Sequence, residues 1–402
     1  MKKFDIPGHY RSPVISSIKE ERKSTDPRKN DYTPTLLDFG SVKFLIARHF
    51  GFCFGVENAI DIAYKTIEEN KGKNVFLLSE MIHNPSVNED LLAQGIRFVM
   101  DNYGRQFIPW EEIKEGDIVI IPAFGTTVEI ERLLKEKGVD TVKYNTTCPF
   151  VERVWNKAEQ LGAKNFTVII HGKSRHEETR ATFSHSAGNA PSIIVKDLEE
   201  TRFLCGYIEG KKSLEEFEKF FAGKTSQGFS PEKDLSRIGV VNQTTMLASE
   251  TEAISNLLRD SLLNKFGAEN IKEHFADTRD TLCYATNDNQ QAVYGLLDSD
   301  ADLALVIGGY NSSNTSHLVE LLERKFKTYF ISSAEKIISP EEILHFDTHL
   351  KQEIKTNHFL DFGKDVTIAV TSGASCPDSL VEAVLRRVHS FFPGAKPFVN
   401  EA

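Results

Sequence analysis

Val42-Lys-Phe-Leu-Ile-Ala-Arg-His-Phe-Gly51-Phe-Cys53-Phe-Gly55-Val56-Glu-Asn-Ala-Ile60 sets the pattern for the rest of the chain. Residues 42–47 read as a β-strand, and residues 56–70 read as a helix with Val56, Ala59, Ile60, Ala63 and Ile67 recurring on one face. The glycine-flanked Cys53 lies in the turn between them. The same order of apolar run, loop and amphipathic stretch returns at 75–78, 118–122, 166–170, 238–241, 303–307 and 366–370. Strands that alternate with helices in this way pair in parallel through helical crossovers, so the expected class is α/β with small, mainly parallel sheets. Three repeats of such a layer are expected, with breaks near 148 and 282. This gives an N-terminal arm over 1–41, a first lobe over 42–148, a second over 149–282 and a third with the C-terminal tail over 283–402. The arm, polar and somewhat basic, is expected to be loosely ordered. Residues 210–236 read as an inserted amphipathic helix plus a mobile loop, and 347–364 as a polar excursion before the last strand.

A chain of 402 residues with 40% apolar residues can bury a sizeable interior. Its formal net charge of −10 argues against nucleic acid or an anionic membrane as a partner. Any anionic ligand must therefore be held locally. The longest apolar runs, 118–124 and 303–307, fall far short of the roughly 20 residues that cross a bilayer. The first forty residues carry no apolar segment like that of a secretory signal, and Glu20, Glu21 and Asp26 suit an organelle transit peptide poorly. The expected compartment is the cytoplasm, so the five cysteines, at 53, 148, 205, 283 and 376, are expected to be free or metal-bound rather than paired.

Ligands of parallel α/β proteins gather where strands end and helix N-termini offer free N–H groups. At those positions stand Phe124-Gly-Thr-Thr127, Asn242-Gln-Thr-Thr245, Gly308-Gly-Tyr-Asn-Ser-Ser-Asn-Thr-Ser316 and Thr371-Ser-Gly-Ala-Ser375. Hydroxyls, amides and glycines can cradle an anion without net positive charge. The same residue types also cap helices, but four such loops favour a phosphate site. Cys53, Cys148 (in Asn145-Thr-Thr-Cys-Pro149) and Cys283 (after Asp280-Thr-Leu) all fall in turns, where a helix N-terminus favours the thiolate that binds iron. Taken singly, each also fits a small buried hydrophobe. Cys205 fits that description best, and Cys376, opening a helix at Ser375-Cys-Pro377, is ambiguous. Three thiolates on a four-iron cluster would leave one iron open to substrate as a Lewis acid and electron donor. His83 in Met81-Ile-His-Asn-Pro85 and His176 in Ser174-Arg-His-Glu-Glu-Thr179 stand at ligand-facing strand ends, and the His-x-Glu spacing suits a proton relay through Glu178.

Taken in order, Gly51-Phe-Cys53-Phe-Gly-Val56, Ile82-His-Asn-Pro85, Thr146-Thr-Cys-Pro149, His176-Glu-Glu-Thr179, Asn242-Gln-Thr-Thr245, Cys283-Tyr-Ala-Thr286, Asn311-Ser-Ser-Asn314 and Thr371-Ser-Gly-Ala-Ser375 resemble the 4-hydroxy-3-methylbut-2-enyl diphosphate reductase family, in its longer-chain, photosynthetic-type branch. The resemblance covers about residues 42–390. It implies three pseudo-threefold-related α/β lobes around a central 4Fe-4S cluster, with Cys53, Cys148 and Cys283 as its ligands. It further implies that the substrate oxygen binds the open iron, and that two electrons and two protons then release water and yield isopentenyl and dimethylallyl diphosphate. Glu178 matches the proton donor, while His176 and Thr244 match neighbours of the substrate. His83, Ser312, Ser313, Asn314 and Ser375 match diphosphate contacts. A reduced ferredoxin or flavodoxin is the expected electron donor, and the expected state is monomer or homodimer. Cys376 matches no ligand position. The compact branch has a further diphosphate-contacting histidine where this chain has Phe124, and the Gly125 N–H or the hydroxyls of Thr126 and Thr127 are expected to compensate. Two other readings are a non-redox hydratase, which needs no reductant, and a phosphate-holding scaffold whose thiols are buried or bind zinc.

Overall fold

The computed structural model describes residues 4–276, 278, 280–361 and 364–398. Residues 1–3 of the expected arm, 362–363 of the expected polar excursion and 399–402 of the tail lie outside the described residues. The chain divides into two compact units, the first made of Met1–Glu57, His83–Val87 and Tyr284–Ala402, the second of Asn58–Ile82 and Asn88–Cys283.

A five-stranded sheet organises the first unit, in the order Thr35–Asp38, Val42–Ile46, Val366–Ser372, Leu303–Ile307, Lys327–Ile331. The first pair is antiparallel and the other three are parallel. Phe44, Ile46, Leu305, Ile307, Ile368 and Val370 are all fully buried in one core. Strands covered on both faces become continuous apolar runs, and this is why they are legible in sequence. Pairing is not local, however: Val42 stands opposite Val366, so the early strand completes a sheet built from the C-terminal part of the chain. The expected polar excursion contributes the strand Gln352–Asn357, which pairs antiparallel with the preceding Glu342–Asp347 as a hairpin.

Two parallel sheets organise the second unit. One has the order Arg97–Phe98, Val75–Leu77, Ile118–Ile120; the other Ser192–Val195, Thr167–His171, Ile238–Asn242, Phe275–Ala276. The architecture is therefore mixed α/β with small, mainly parallel sheets, as the alternation predicts. The stretch expected to be a mobile loop after 210 is anchored instead. A capping box between Ser213 and Glu216 starts the helix Leu214–Phe220, and Phe217, Phe221 and Leu235 join the core beneath it. The Lys224 carbonyl accepts from Ile194 N at 2.9 Å, along the edge of the sheet.

The N-terminal arm also departs from expectation, since it contains the helix Pro13–Thr25. Ser12 caps it, accepting from Ile15 N at 2.9 Å, with Pro13 at the first helical position. Val14, Ile15 and Ile18 enter the core of the first unit. Three apolar residues are a short stripe in a helix otherwise rich in charge, so composition hides a docked element. Ile15→Ala should therefore cost about 2–5 kcal/mol in chemical denaturation; a cost below about 1 kcal/mol would mean that the helix is not part of the folded core.

Candidate active site

In the second unit, parallel pairing sets His171 beside Asn242, so the loops after those two strands emerge at the same end. His176 caps the helix Glu177–Ala187, its Nδ1 accepting from Glu178 N at 3.2 Å. A ring nitrogen that accepts cannot carry the proton, so the neutral imidazole keeps its proton on Nε2. Glu178 is 1% exposed. Its two oxygens receive Thr244 N at 2.5 Å and Thr244 Oγ1 at 3.0 Å. Those bonds favour the carboxylate, but burial outweighs them and pushes the group up to about 7. Gln243 fastens the loops together: its N donates to the His171 carbonyl at 2.8 Å, and its Oε1 accepts from Thr179 Oγ1 at 3.0 Å. Glycine is required at 172, where a Cβ would lie 2.6 Å from Thr179 Oγ1.

Two cysteines reach the same place. Cys148 opens the helix Pro149–Gly162 and donates its N–H to the Ala123 carbonyl at 3.0 Å. Cys283 N donates at 3.1 Å to the carbonyl of Thr244, the same residue whose N and Oγ1 bond to Glu178. Burial pushes the Cys148 thiol up to about 11, and the negative forms of Cys283 and Glu178 add to the rise. This reverses the expectation that a helix N-terminus would lower it, because desolvation is the larger effect here. A half-buried thiol this reluctant to ionise becomes a thiolate when a cation takes the proton's place. The donor set therefore fits an iron group. Among the described residues, no three His, Cys, Asp or Glu groups are gathered closely enough for a single metal ion.

In the first unit, Cys53 immediately precedes the helix Phe54–Glu69. Its N–H donates to the Ala374 carbonyl at 3.1 Å, and its carbonyl accepts from Glu57 N at 3.0 Å. Sequence reasoning missed Tyr284, whose hydroxyl accepts the Phe54 N–H at 3.0 Å; its place directly after Cys283 was the available signal. The predicted diphosphate residues of this unit, His83, Ser312, Ser313, Asn314 and Ser375, are all buried. Ser375 Oγ donates to the His83 carbonyl at 3.1 Å, and Ala374 N donates to Asn314 Oδ1 at 3.0 Å. Ser312 caps the helix Ser313–Leu322, accepting from Thr315 N at 3.3 Å. Asn314 Nδ2 has no hydrogen-bond partner among the described residues. The helix N-terminus and the unsatisfied amide donor could hold an anion.

The other predictions divide. Cys205 and Cys376 lie in apolar cores, and burial pushes Cys376 up to about 12. At Phe124 the ring meets His176 edge-on, with centroids 5.7 Å apart. The Gly125 N–H expected to compensate is taken by the Pro122 carbonyl at 2.9 Å, and Thr127 Oγ1 caps the helix Val128–Glu136.

Residues 44–389 match the LytB protein family. The chain belongs to the LytB family. Among its relatives is 4-hydroxy-3-methylbut-2-enyl diphosphate reductase of Prochlorococcus marinus (strain MIT 9301), 41% identical over 381 residues, which span 94% of this chain and 90% of that protein. The reductase of the same name from Gloeobacter violaceus is 39% identical over 387 residues, spanning 96% and 88%. Among solved structures, (E)-4-hydroxy-3-methyl-but-2-enyl diphosphate reductase, described as the terminal enzyme of the non-mevalonate pathway, is similar with a TM-score of 0.50 and 27% identity, over 86% of this chain and 99% of that one. The reductase structure from Plasmodium falciparum shares the fold with a TM-score of 0.59 at 21% identity, over 85% and 86%.

Thr244→Val removes a hydroxyl donor that stabilises the charged form of Glu178, so the carboxyl should titrate above about 7 in the variant. Infrared titration of the carboxyl band in metal-free protein measures this. An unchanged or lower value would contradict the bond.

Proposed function

We propose that this chain is a 4-hydroxy-3-methylbut-2-enyl diphosphate reductase that replaces the substrate's hydroxyl group by hydrogen. The allylic alcohol takes up two electrons and two protons, the C–O bond breaks, and one water leaves with isopentenyl or dimethylallyl diphosphate. The observation that carries this reading is the convergence of the half-buried Cys148 and Cys283 with the buried Glu178 and Thr244 in one part of the second unit.

Glu178 is the proposed proton donor. With its group shifted up to about 7, a useful fraction is protonated at neutral pH, and the bond from Thr244 N orients the carboxyl. Thr244 presents its hydroxyl beside that carboxyl, at the hydroxyl end of the substrate. His176, neutral and with its proton on Nε2, is a donor to substrate oxygen. His83, Ser312, Ser313, Asn314 and Ser375 hold the diphosphate, through hydroxyl and amide donors and the free N–H groups of the helix that begins at Ser313. Cys53, Cys148 and Cys283 would hold a 4Fe-4S cluster, which supplies electrons and one Lewis-acidic iron without a cysteine ligand. A reduced ferredoxin or flavodoxin would refill it, in a reducing compartment such as the cytoplasm.

Anaerobic analysis of the reconstituted protein should find about four irons and four sulfides per chain. Colourless protein with stoichiometric zinc would overturn the assignment, and turnover without a reductant would replace it with hydration. Cys53→Ser should lose iron or activity, because an alkoxide substitutes poorly for a thiolate on iron; near-normal turnover would remove Cys53 from the ligand set. Glu178→Gln should keep cluster and substrate but slow turnover by about a hundredfold or more. Unchanged kcat in that variant would exclude Glu178 as the proton donor.

A further inference from the structure

Cys53 stands between two aromatic residues, Phe52 and Phe54, and the N-terminal segment meets both. Phe4 packs edge-on against Phe54 with ring centroids 4.9 Å apart, and Tyr10 packs edge-on against Phe52 at 5.8 Å. Phe4 is 6% exposed and Tyr10 2%, although chain ends are ordered only where something ties them down. The segment is also tied to itself, with Arg11 Nη2 donating to the Phe4 carbonyl at 3.1 Å. Farther along, Lys19 Nζ donates to Asp378 Oδ1 at 2.7 Å and lies 4.7 Å from the centre of the Phe50 ring. That pair closes over the turn itself. Gly51 has φ +78°, and a Cβ there would lie 2.6 Å from Asp378 Oδ1 and 2.9 Å from Lys19 Nζ. The residue three before Cys53 and both of its neighbours are thus held by residues 4–19, while Ala374 holds its N–H from the other side.

We infer that residues 4–19 are a clasp on the Cys53 turn, which fixes the thiol for its metal and limits the access of solvent and oxidants to it. The inference rests on the reading of Cys53 as a ligand. Ligand loops need a supporting layer to hold their geometry, and two aromatic contacts plus an ion pair on a turn of five residues form such a layer. Phe4 and Tyr10 are positioning residues in this account, since they touch the neighbours of the cysteine.

The test uses the full chain with Phe4→Ala and Tyr10→Ala combined. In metal-free protein, the alkylation rates of Cys53, Cys148 and Cys283 by iodoacetamide are followed by peptide mass spectrometry. The reconstituted protein is followed for iron release to a chelator and for bleaching of visible absorbance in air. The expected result is selective alkylation of Cys53, faster by about tenfold, the ratio that the loss of two edge-on aromatic pairs corresponds to. Faster iron release and bleaching should accompany it. Cys53 reacting at the unaltered rate would overturn the clasp, and so would equal acceleration at all three thiols, which marks general loosening. Should the alanine variant not fold, Phe4→Leu with Tyr10→Leu keeps apolar burial while removing the ring contacts and is read by the same criteria. Selective acceleration in a chain that binds no iron would uphold the clasp while refuting the cluster assignment.

Discussion

Desolvation of acidic groups is the constraint on which the proposed chemistry depends. Glu178 receives two hydrogen bonds that favour its charge, yet burial still lifts it to about 7. Without those bonds burial would lift it further; without the burial they would hold it lower. The same desolvation lifts Cys148, outweighing the Phe150 and Val151 N–H groups that favour its thiolate. The proposed proton donor and the proposed ligand thus share one physical cause, acting on groups close enough to influence each other.

Glu177 shows that burial alone does not orient a carboxyl. It is lifted to about 8, also by desolvation, with Ser79 and Arg180 opposing the shift. One of its oxygens has no hydrogen-bond partner among the described residues, whereas both oxygens of Glu178 are held by Thr244. Orientation separates two neighbouring carboxyls that burial treats alike, and proton transfer requires orientation.

Legibility in the sequence follows the range of the interaction involved. The strands at 303–307 and 366–372 could be read because burial on both faces makes each a largely apolar run, and 42–46 because its buried residues alternate, which is local information. Their membership of one sheet could not, because the pairing of Val42 with Val366 bridges most of the chain. Cys148 was legible as a helix-opening cysteine, but the direction of its shift was not, since burial is set by residues far along the chain. The His-x-Glu spacing marked Glu178, whereas its partner Thr244, 66 positions later, came from family resemblance. Docking of the arm through Val14, Ile15 and Ile18 was hidden by the charged residues around them.

Charge poses the remaining question, because a chain of net charge −10 is assigned an anionic substrate. In the site proposed in the first unit, dipoles would answer it. Around the buried His83, Ser312, Ser313, Asn314 and Ser375 the backbone is drawn in so closely that side chains at two positions would have no room. A Cβ on Gly309 would lie 2.4 Å from the His83 carbonyl, and one on Gly373 would lie 1.9 Å from Thr315 Oγ1. Such close approach brings N–H groups, hydroxyls and a helix N-terminus to bear on a small volume, where their partial charges act in a medium that screens weakly. Lysines or arginines in that place would bind the diphosphate more broadly, and they would also bind other polyanions. Fixed neutral donors accept one shape, so in the proposed site selectivity for a small diphosphate would come from dipoles rather than from net charge.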